Sequence, residues 1–272
     1  MASFGSGPSI GRGVLTVDIN RNMFDLSGKT ALVTGGGYGL GRALVHGLAG
    51  HGARVVSVAR SGDALAETFS SLGPEHRYIV GDLTDDAVYE ELDAMPEEID
   101  ILVNNHGGDP YIKPWPEQSP DDWRGTYEIN VVASMRLIHL LSPKMAERGF
   151  GRIINVSSIY GILGQDPRSA ASAGGAGAYT AAKHGVNGLT HYLACQLGGD
   201  GITVNSLAPG MIAWSKASAE GVQVRARNAD HTPVGRNGQP EDFVAPVVFL
   251  SAEGSAFVNG HVLVVDGGWS IW

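Results

Sequence analysis

The chain has 272 residues, 43% of them hydrophobic, and a net charge of −9. A core of useful size is within reach, while a broad nucleic-acid surface, which needs clustered Lys and Arg, is excluded. With one cysteine, Cys195, the chain forms no internal disulfide and no cysteine-based metal site. In its HYLACQL context Cys195 reads as a small buried apolar residue. The nine histidines show no HExxH pattern and no tight cluster, so no metal is expected. No window of about 18 apolar residues appears, which argues against a membrane span. The Gly- and Ser-rich start, residues 1–24, lacks the apolar stretch of a signal peptide and reads as a flexible extension of a cytoplasmic protein.

From residue 25 onward short apolar runs alternate with helical patterns. TALVT (30–34) predicts a strand, followed by the helix-like GRALVHGLAGHG. RVVSVA (54–59) and RYIVGD (77–82) predict further strands, each trailed by a helix at 63–72 and 85–95. IDILVNN (99–105) precedes one long helical region over 121–147. RIINVSS (152–158) is followed by an Ala-rich helix over 178–197, and ITVNSLAPG (202–210) by an irregular stretch. The helix EDFVAPVVFL and the strand VLVVDGG (262–268) close the chain. Strands this apolar are buried on both faces, and their alternation with helices means parallel βαβ units. The expectation is an α/β fold, a single doubly wound Rossmann-type domain over 25–272 with seven parallel strands. Ligands of such a sheet bind outside the carboxyl ends of its strands.

The residues at those ends carry the chemistry. TGGGYGLG follows the first strand and fails the strict G-x-G-x-x-G pattern, because position 40 is Leu40. It fits G-x-x-x-G-x-G with Gly35, Gly39 and Gly41, leaving Gly37, Tyr38 and Leu40 inside the loop. Gly35 makes the turn, Gly39 lets a phosphate approach, and Gly41 lets helix and strand pack closely. The helix N-terminus then aims free N–H groups and a positive dipole end at a pyrophosphate. The second strand ends in Ala59-Arg60, with no acid to bond an adenosine ribose. Arg60 suits a 2′-phosphate, which favours NADP(H) and leaves NAD(H) open; a solvated surface charge is the other reading. Asp63 reads as the start of the next helix. Asp82 and Leu83 of GDL face the adenine, and Asn104 and Gly107 of NNHG the adenosine ribose.

Tyr179 and Lys183 stand four apart in YTAAK and share one helix face. A phenol with a pKa of about 10 is a poor base at neutral pH. An ammonium one turn away is expected to favour the phenolate, so that Tyr179 can exchange a proton with a carbinol or carbonyl oxygen. A serine of NVSS can hold that oxygen during hydride transfer.

TGGGYGLG, GDL, NNHG, Asn130 in EIN, NVSS, YTAAK, VNSLAPG and VVDGG occur in the order typical of the short-chain dehydrogenase/reductase family, which the chain resembles over about residues 26–268. The resemblance implies a nicotinamide cofactor, a secondary alcohol or ketone substrate, and a tetrad of Asn130, Ser158, Tyr179 and Lys183. Asn130 would hold a water against Lys183, Ser158 would polarise the substrate oxygen, and Tyr179 would be the acid/base. Lys183 would also bind the nicotinamide ribose, while Ser157, the rival serine, would point elsewhere. Pro209, Gly210 and Ile212 would border the cofactor, the Ile212 N–H meeting the carboxamide.

Three departures from the family pattern stand out. His106 replaces the usual alanine of NNHG, either to touch substrate or cofactor or to fill space. Trp214 stands where a cofactor-binding threonine is common. The segment between Ser158 and Tyr179 is long and contains Arg168. Tyr160, Gln165 and Trp214 join His106 as substrate candidates, and residues 211–235, with Arg225 and Arg227, read as a lid. SSIYG and GGWSIW are similar to family members acting on sugar acids and polyols, the gluconate 5-dehydrogenase-like ones among them. An apolar or aromatic ketone and a non-enzymatic NADP sensor are the alternatives. YTAAK argues against a 2-enoyl thioester reductase, which spaces its Tyr and Lys more widely. The family commonly forms dimers or tetramers; the apolar WSIW terminus suits a homotetramer, or a homodimer.

Overall fold

The computed structural model describes residues 22–111, 113–165, 176–213 and 219–272. Most of the proposed extension 1–24, together with Arg168 and Trp214, lies outside the described residues. Seven parallel strands form one sheet: β1 (Thr30–Thr34), β2 (Arg54–Ala59), β3 (Arg77–Val80), β4 (Ile101–Asn104), β5 (Gly151–Val156), β6 (Ile202–Pro209) and β7 (Val262–Val265). Their spatial order is β3-β2-β1-β4-β5-β6-β7. The chain leaves the β3 edge and returns beside β1 as β4, so the winding reverses between β1 and β4. Loops on either side of that reversal part and open a crevice over the strands' carboxyl ends.

Strand alternation feeds two apolar layers, one on each face. Ala31 and Val33 pack with Leu44 and Leu48 of α1 (Gly39–Gly50) and Val247 of α8 (Val244–Ser251). Leu32, between them in sequence, packs on the other face with Leu137, Ile138 and Met145 of α5 (Ala133–Arg148). Each such Val, Leu, Ile or Met side chain, fully buried, contributes about 1.5–3 kcal/mol. The remaining helices are α2 (Gly62–Phe69), α3 (Asp86–Asp93), α4 (Pro120–Tyr127), α6 (Gly177–Leu197) and α7 (Ala219–His231). None of the described helices is long and apolar enough to cross a membrane.

Several boundaries differ from the sequence expectations. β3 stops at Val80 and β5 at Val156, which leaves Gly81–Asp82 and Ser157–Ser158 beyond the pleat. The helical region expected over 121–147 is α4 and α5 joined by a π-helical turn, Glu128–Val132, with Asn130 inside it. Ser61, not Asp63, caps α2 by accepting the Ala64 N–H, and Asp63 lies in the first turn. EDFVAPVVFL divides into a 3₁₀ turn, Pro240–Phe243, and α8. Cys195 is exposed, contrary to the buried reading. Its neighbour Ala194 takes the inward position on α6, and a step of about 100° turns the next residue outward.

Candidate active site

Two glycines show where the loop after β1 tolerates no side chain. A Cβ on Gly41 would strike the Gly35 carbonyl and sit 2.7 Å from the Asn105 amide. Gly35 itself has φ +71°, a left-handed turn. α1 then starts with no side-chain cap from Tyr38 and no acid in its first turn. Its first N–H groups are left for an anion, as a pyrophosphate requires. They border a cavity of about 1040 Å³. Gly35, Gly37, Tyr38, Leu40 and Gly41 line it on this side, whereas Gly39 faces a second groove on the other flank of α1. The loop has a support that sequence reasoning missed. Arg42 donates to the Gly37 carbonyl from Nε (3.2 Å) and Nη2 (3.0 Å), and pairs with Glu67 at 2.8 Å.

At the end of β2, Arg60 lines the same cavity with 74% of its side chain exposed. Its only recorded ion partner among the described residues is Asp82, at 3.8 Å, a loose contact that leaves the guanidinium able to take a phosphate. Asp82 and Leu83 also line the cavity. Asn104 turns away from it: its amide donates to Asn155 Oδ1 at 2.8 Å. Asn105 lines the cavity instead and donates to the Thr34 carbonyl at 2.9 Å. Successive side chains at a strand end point to opposite sides, so the NN doublet carried the signal for both.

Beyond β5, Ser158 Oγ accepts the Tyr160 N–H at 3.1 Å and sits close enough to the Tyr179 phenol to lower its pKa. Lys183 Nζ donates to the Val156 carbonyl at 2.8 Å and lies 5.4 Å from the centroid of the Tyr179 ring. Ser157 donates to the Lys183 carbonyl at 3.2 Å. Burial pushes the Tyr179 phenol up to about 12, partly offset by the Ser158 bond, and pulls Lys183 down to about 8. Desolvation, not the ammonium, therefore sets the direction of the shift: the chain by itself holds a neutral phenol. Asn130 does not line the cavity. Its amide donates to the carbonyls of Gly108 and Thr126, both at 2.8 Å, and Oδ1 accepts the Gly108 N–H at 3.1 Å. Gly107, at φ +134°, shows how tightly the groups meet: a Cβ there would lie 2.5 Å from Asn130 Oδ1 and 3.3 Å from Lys183 Nζ.

His106 lines the cavity floor. Its Nδ1 is 2.7 Å from Thr34 Oγ1 and its Nε2 3.5 Å from Ser134 Oγ, which donates to the Asn130 carbonyl at 3.2 Å. The backbone N–H groups of Asn105 and His106 donate to the same Thr34 oxygen. The one hydroxyl proton has two acceptors within reach, His106 Nδ1 at 2.7 Å and the Val103 carbonyl at 3.2 Å. Desolvation, with the Lys183 charge nearby, pulls the imidazole down to about 3 and keeps it neutral. Pro209, Gly210 and Ile212 close the far wall. Tyr160 is half-buried beside Ser158. Gln165 accepts the Ala176 N–H at 3.2 Å, joining the two ends of the segment 166–175.

A family model described as "Enoyl-(Acyl carrier protein) reductase" matches residues 35–270. The chain is 36% identical over 258 residues to 2-dehydro-3-deoxy-D-gluconate 5-dehydrogenase of Bacillus subtilis (strain 168), covering 90% of this chain and 96% of the relative. It is 36% identical over 259 residues to gluconate 5-dehydrogenase of Gluconobacter oxydans (strain 621H), covering 92% and 98%. Among solved structures, a gluconate 5-dehydrogenase from Burkholderia cenocepacia J2315 in complex with NADP and tartrate superposes with a TM-score of 0.80 at 32% identity, covering 91% of this chain and 97% of that one. Seven parallel strands, a capless helix over a glycine turn and a Ser-Tyr-Lys cluster thus come together with these likenesses, and the chain belongs to the short-chain dehydrogenase/reductase family of NAD(P)-dependent oxidoreductases.

Proposed function

We propose that the protein is an NADP-dependent dehydrogenase of a small polyhydroxy compound, a sugar acid or polyol, acting at a secondary carbinol. The observation that carries this reading is one cavity with an anion-ready helix start and Arg60 at one end and Ser158, Tyr179 and Lys183 at the other. The residues fit a dinucleotide. Gly35, Gly37 and Gly41 leave room for the diphosphate, and Tyr38 and Leu40 flank it. Arg60 takes the 2′-phosphate, Asp82, Leu83, Asn105 and Gly107 border the adenosine, and Pro209, Gly210 and Ile212 border the nicotinamide. NAD(H) fits the same cradle without the Arg60 contact. When bound, the nicotinamide supplies or takes up the hydride and, in its oxidised form, adds a positive charge beside the phenol.

The chain's own groups do the rest. Ser158 donates to the substrate oxygen, and Tyr179 gives a proton to that oxygen in reduction or removes it in oxidation. Lys183 holds the ribose and biases the phenol towards ionisation once the second positive charge is present. Asn130 positions the loop around Gly107 and Gly108 and holds a water for Lys183. His106, Tyr160 and Gln165 border the substrate, and α7, within the lid segment 211–235, covers it. Names of the two gluconate-type relatives support the substrate class. The same reading makes the protein a cytoplasmic homotetramer or homodimer.

The test is a panel of polyols, aldonates, a 3-oxoacyl thioester and an aromatic ketone, each assayed with NADP and NAD. Polyols or aldonates should lead with NADP. Tyr179→Phe should bind NADP within about twofold of the parent yet lose about 10²- to 10⁴-fold in turnover. Full activity in that variant, or turnover confined to the thioester or the aromatic ketone, would refute the reading.

A further inference from the structure

Helix α7 turns an amide towards the cavity that neither the fold nor the proton chemistry uses. Asn228 is only 8% exposed and, with Val224 one turn before it, lines the cavity. Its Oδ1 and Nδ2 make no hydrogen bond among the described residues, yet neither is sealed inside the protein. Its backbone carbonyl accepts the Thr232 hydroxyl at 2.7 Å, which fixes this turn of the helix. A largely buried amide with no protein partner is costly, and a ligand that answers it relieves the cost. The sheet order decides which end of the cavity Asn228 faces. A Cβ on Gly267 would come within 2.8 Å of Thr232 Cγ2, and the Val234 N–H donates to the Gly267 carbonyl at 3.2 Å. The end of α7 is thus held against the chain leaving β7, across the sheet from Arg60 and Asp82, which follow β2 and β3. The end of β6 lies between, beside the proton-transfer groups. The Ser157 N–H donates to the Leu207 carbonyl at 2.7 Å, and the Gly210 N–H to the Val265 carbonyl at 2.9 Å.

We propose that Asn228 is a cofactor-binding residue whose carboxamide bonds the nicotinamide half of the dinucleotide from the α7 side of the cavity. The inference rests on the cradle proposed above, in which the 2′-phosphate meets Arg60. With that end anchored after β2, an extended dinucleotide carries its nicotinamide half to the β5–β6 end, where Ser158, Tyr179 and Lys183 line the same cavity. That half, a carboxamide on a ribose, offers both donors and acceptors, and the Asn228 amide can answer either. The cofactor, not the substrate, is what Asn228 meets: Tyr160 and Gln165 on the substrate side do not line this cavity, whereas Asn228 shares it with the glycine turn.

The experiment is calorimetric titration of wild type, Asn228→Ala and Arg60→Ala with NADP and with adenosine 2′,5′-bisphosphate, which keeps the Arg60 end and lacks the nicotinamide half. Asn228→Ala should weaken NADP binding about tenfold and leave the bisphosphate within about twofold of wild type. Arg60→Ala should weaken both ligands. The bisphosphate reports on the same folded sample, so its unchanged binding separates a lost contact from a lost structure. The KM for the best polyol, taken at saturating NADP, should stay within about threefold in Asn228→Ala. Equal losses of both ligands in Asn228→Ala, or unchanged NADP affinity with or without a raised polyol KM, would overturn the inference. Wild type binding neither ligand would overturn the cradle itself, and this inference with it.

Discussion

Lys183 is an ammonium buried among carbonyls and amides, and burial has pulled it from 10.5 to about 8. A depressed folded value for a base means that the unfolded chain binds the proton more tightly. Below about pH 8 the folded state bears the full cost of the buried charge, and that cost fades as the pH rises towards 10.5. The fall from 10.5 to about 8 corresponds to about 3 kcal/mol. Lys183→Met should therefore be more stable than the parent at pH 7 in urea melts, by up to that amount less the lost bond to the Val156 carbonyl. The difference should shrink to nothing by pH 10.5, and turnover should be lost at every pH. A variant less stable at pH 7 would show that the carbonyl bond outweighs desolvation. At this scale the sequence made the placing of Tyr179 and Lys183 on one helix legible, because Tyr and Lys one turn apart need no tertiary information. The sign of the Tyr179 shift was not legible, since burial depends on what packs above the ring. Asn228 carried no motif, and Asn105 was overshadowed by its neighbour Asn104.

Among the elements, β1 and β2 match their expected bounds because apolar runs end abruptly at turn-forming residues. β3 and β5 were read too long, since residues that continue an apolar run can still curl out of the pleat towards a ligand. The π turn at Glu128–Val132 leaves no trace in composition; one extra residue per turn shifts phase without changing residue type, and such turns often accompany function. The end of β2 carries the cofactor choice. Among the described residues Arg60 projects past Ala59 with a loose 3.8 Å contact to Asp82, and Arg42 is occupied by the Gly37 carbonyl and Glu67. Arg60→Glu should lower the ratio of kcat/KM for NADP over NAD by about 10- to 100-fold, with little effect on kcat with NAD. An unchanged ratio would place the 2′-phosphate beyond the reach of Arg60.

Over the whole molecule, the sheet brings every wall of the cavity to one edge, so the site is a consequence of topology as much as of motifs. The opposite concern is what the fold leaves uncovered. Ile271 and Trp272 at the carboxyl end are 83% and 70% exposed, although the Trp272 indole donates to the His231 carbonyl at the end of α7 (2.9 Å) and Trp269 packs edge-on to the His231 ring. Apolar groups so placed are costly in water unless another subunit covers them. Sedimentation equilibrium should give a homotetramer for the parent, and Ile271→Asp should shift the distribution towards smaller species; a parent that sediments as a monomer would refute this.

The hydrogen bond from the Ala176 N–H to Gln165 has a consequence for how such an enzyme diversifies. The chain departs after Gln165 and returns at Ala176 through a fixed doorway, just ahead of the helix that bears Tyr179. Residues 166–175 can thus be exchanged like a cassette, lengthened or recomposed to suit new cargo, without disturbing the proton donor downstream.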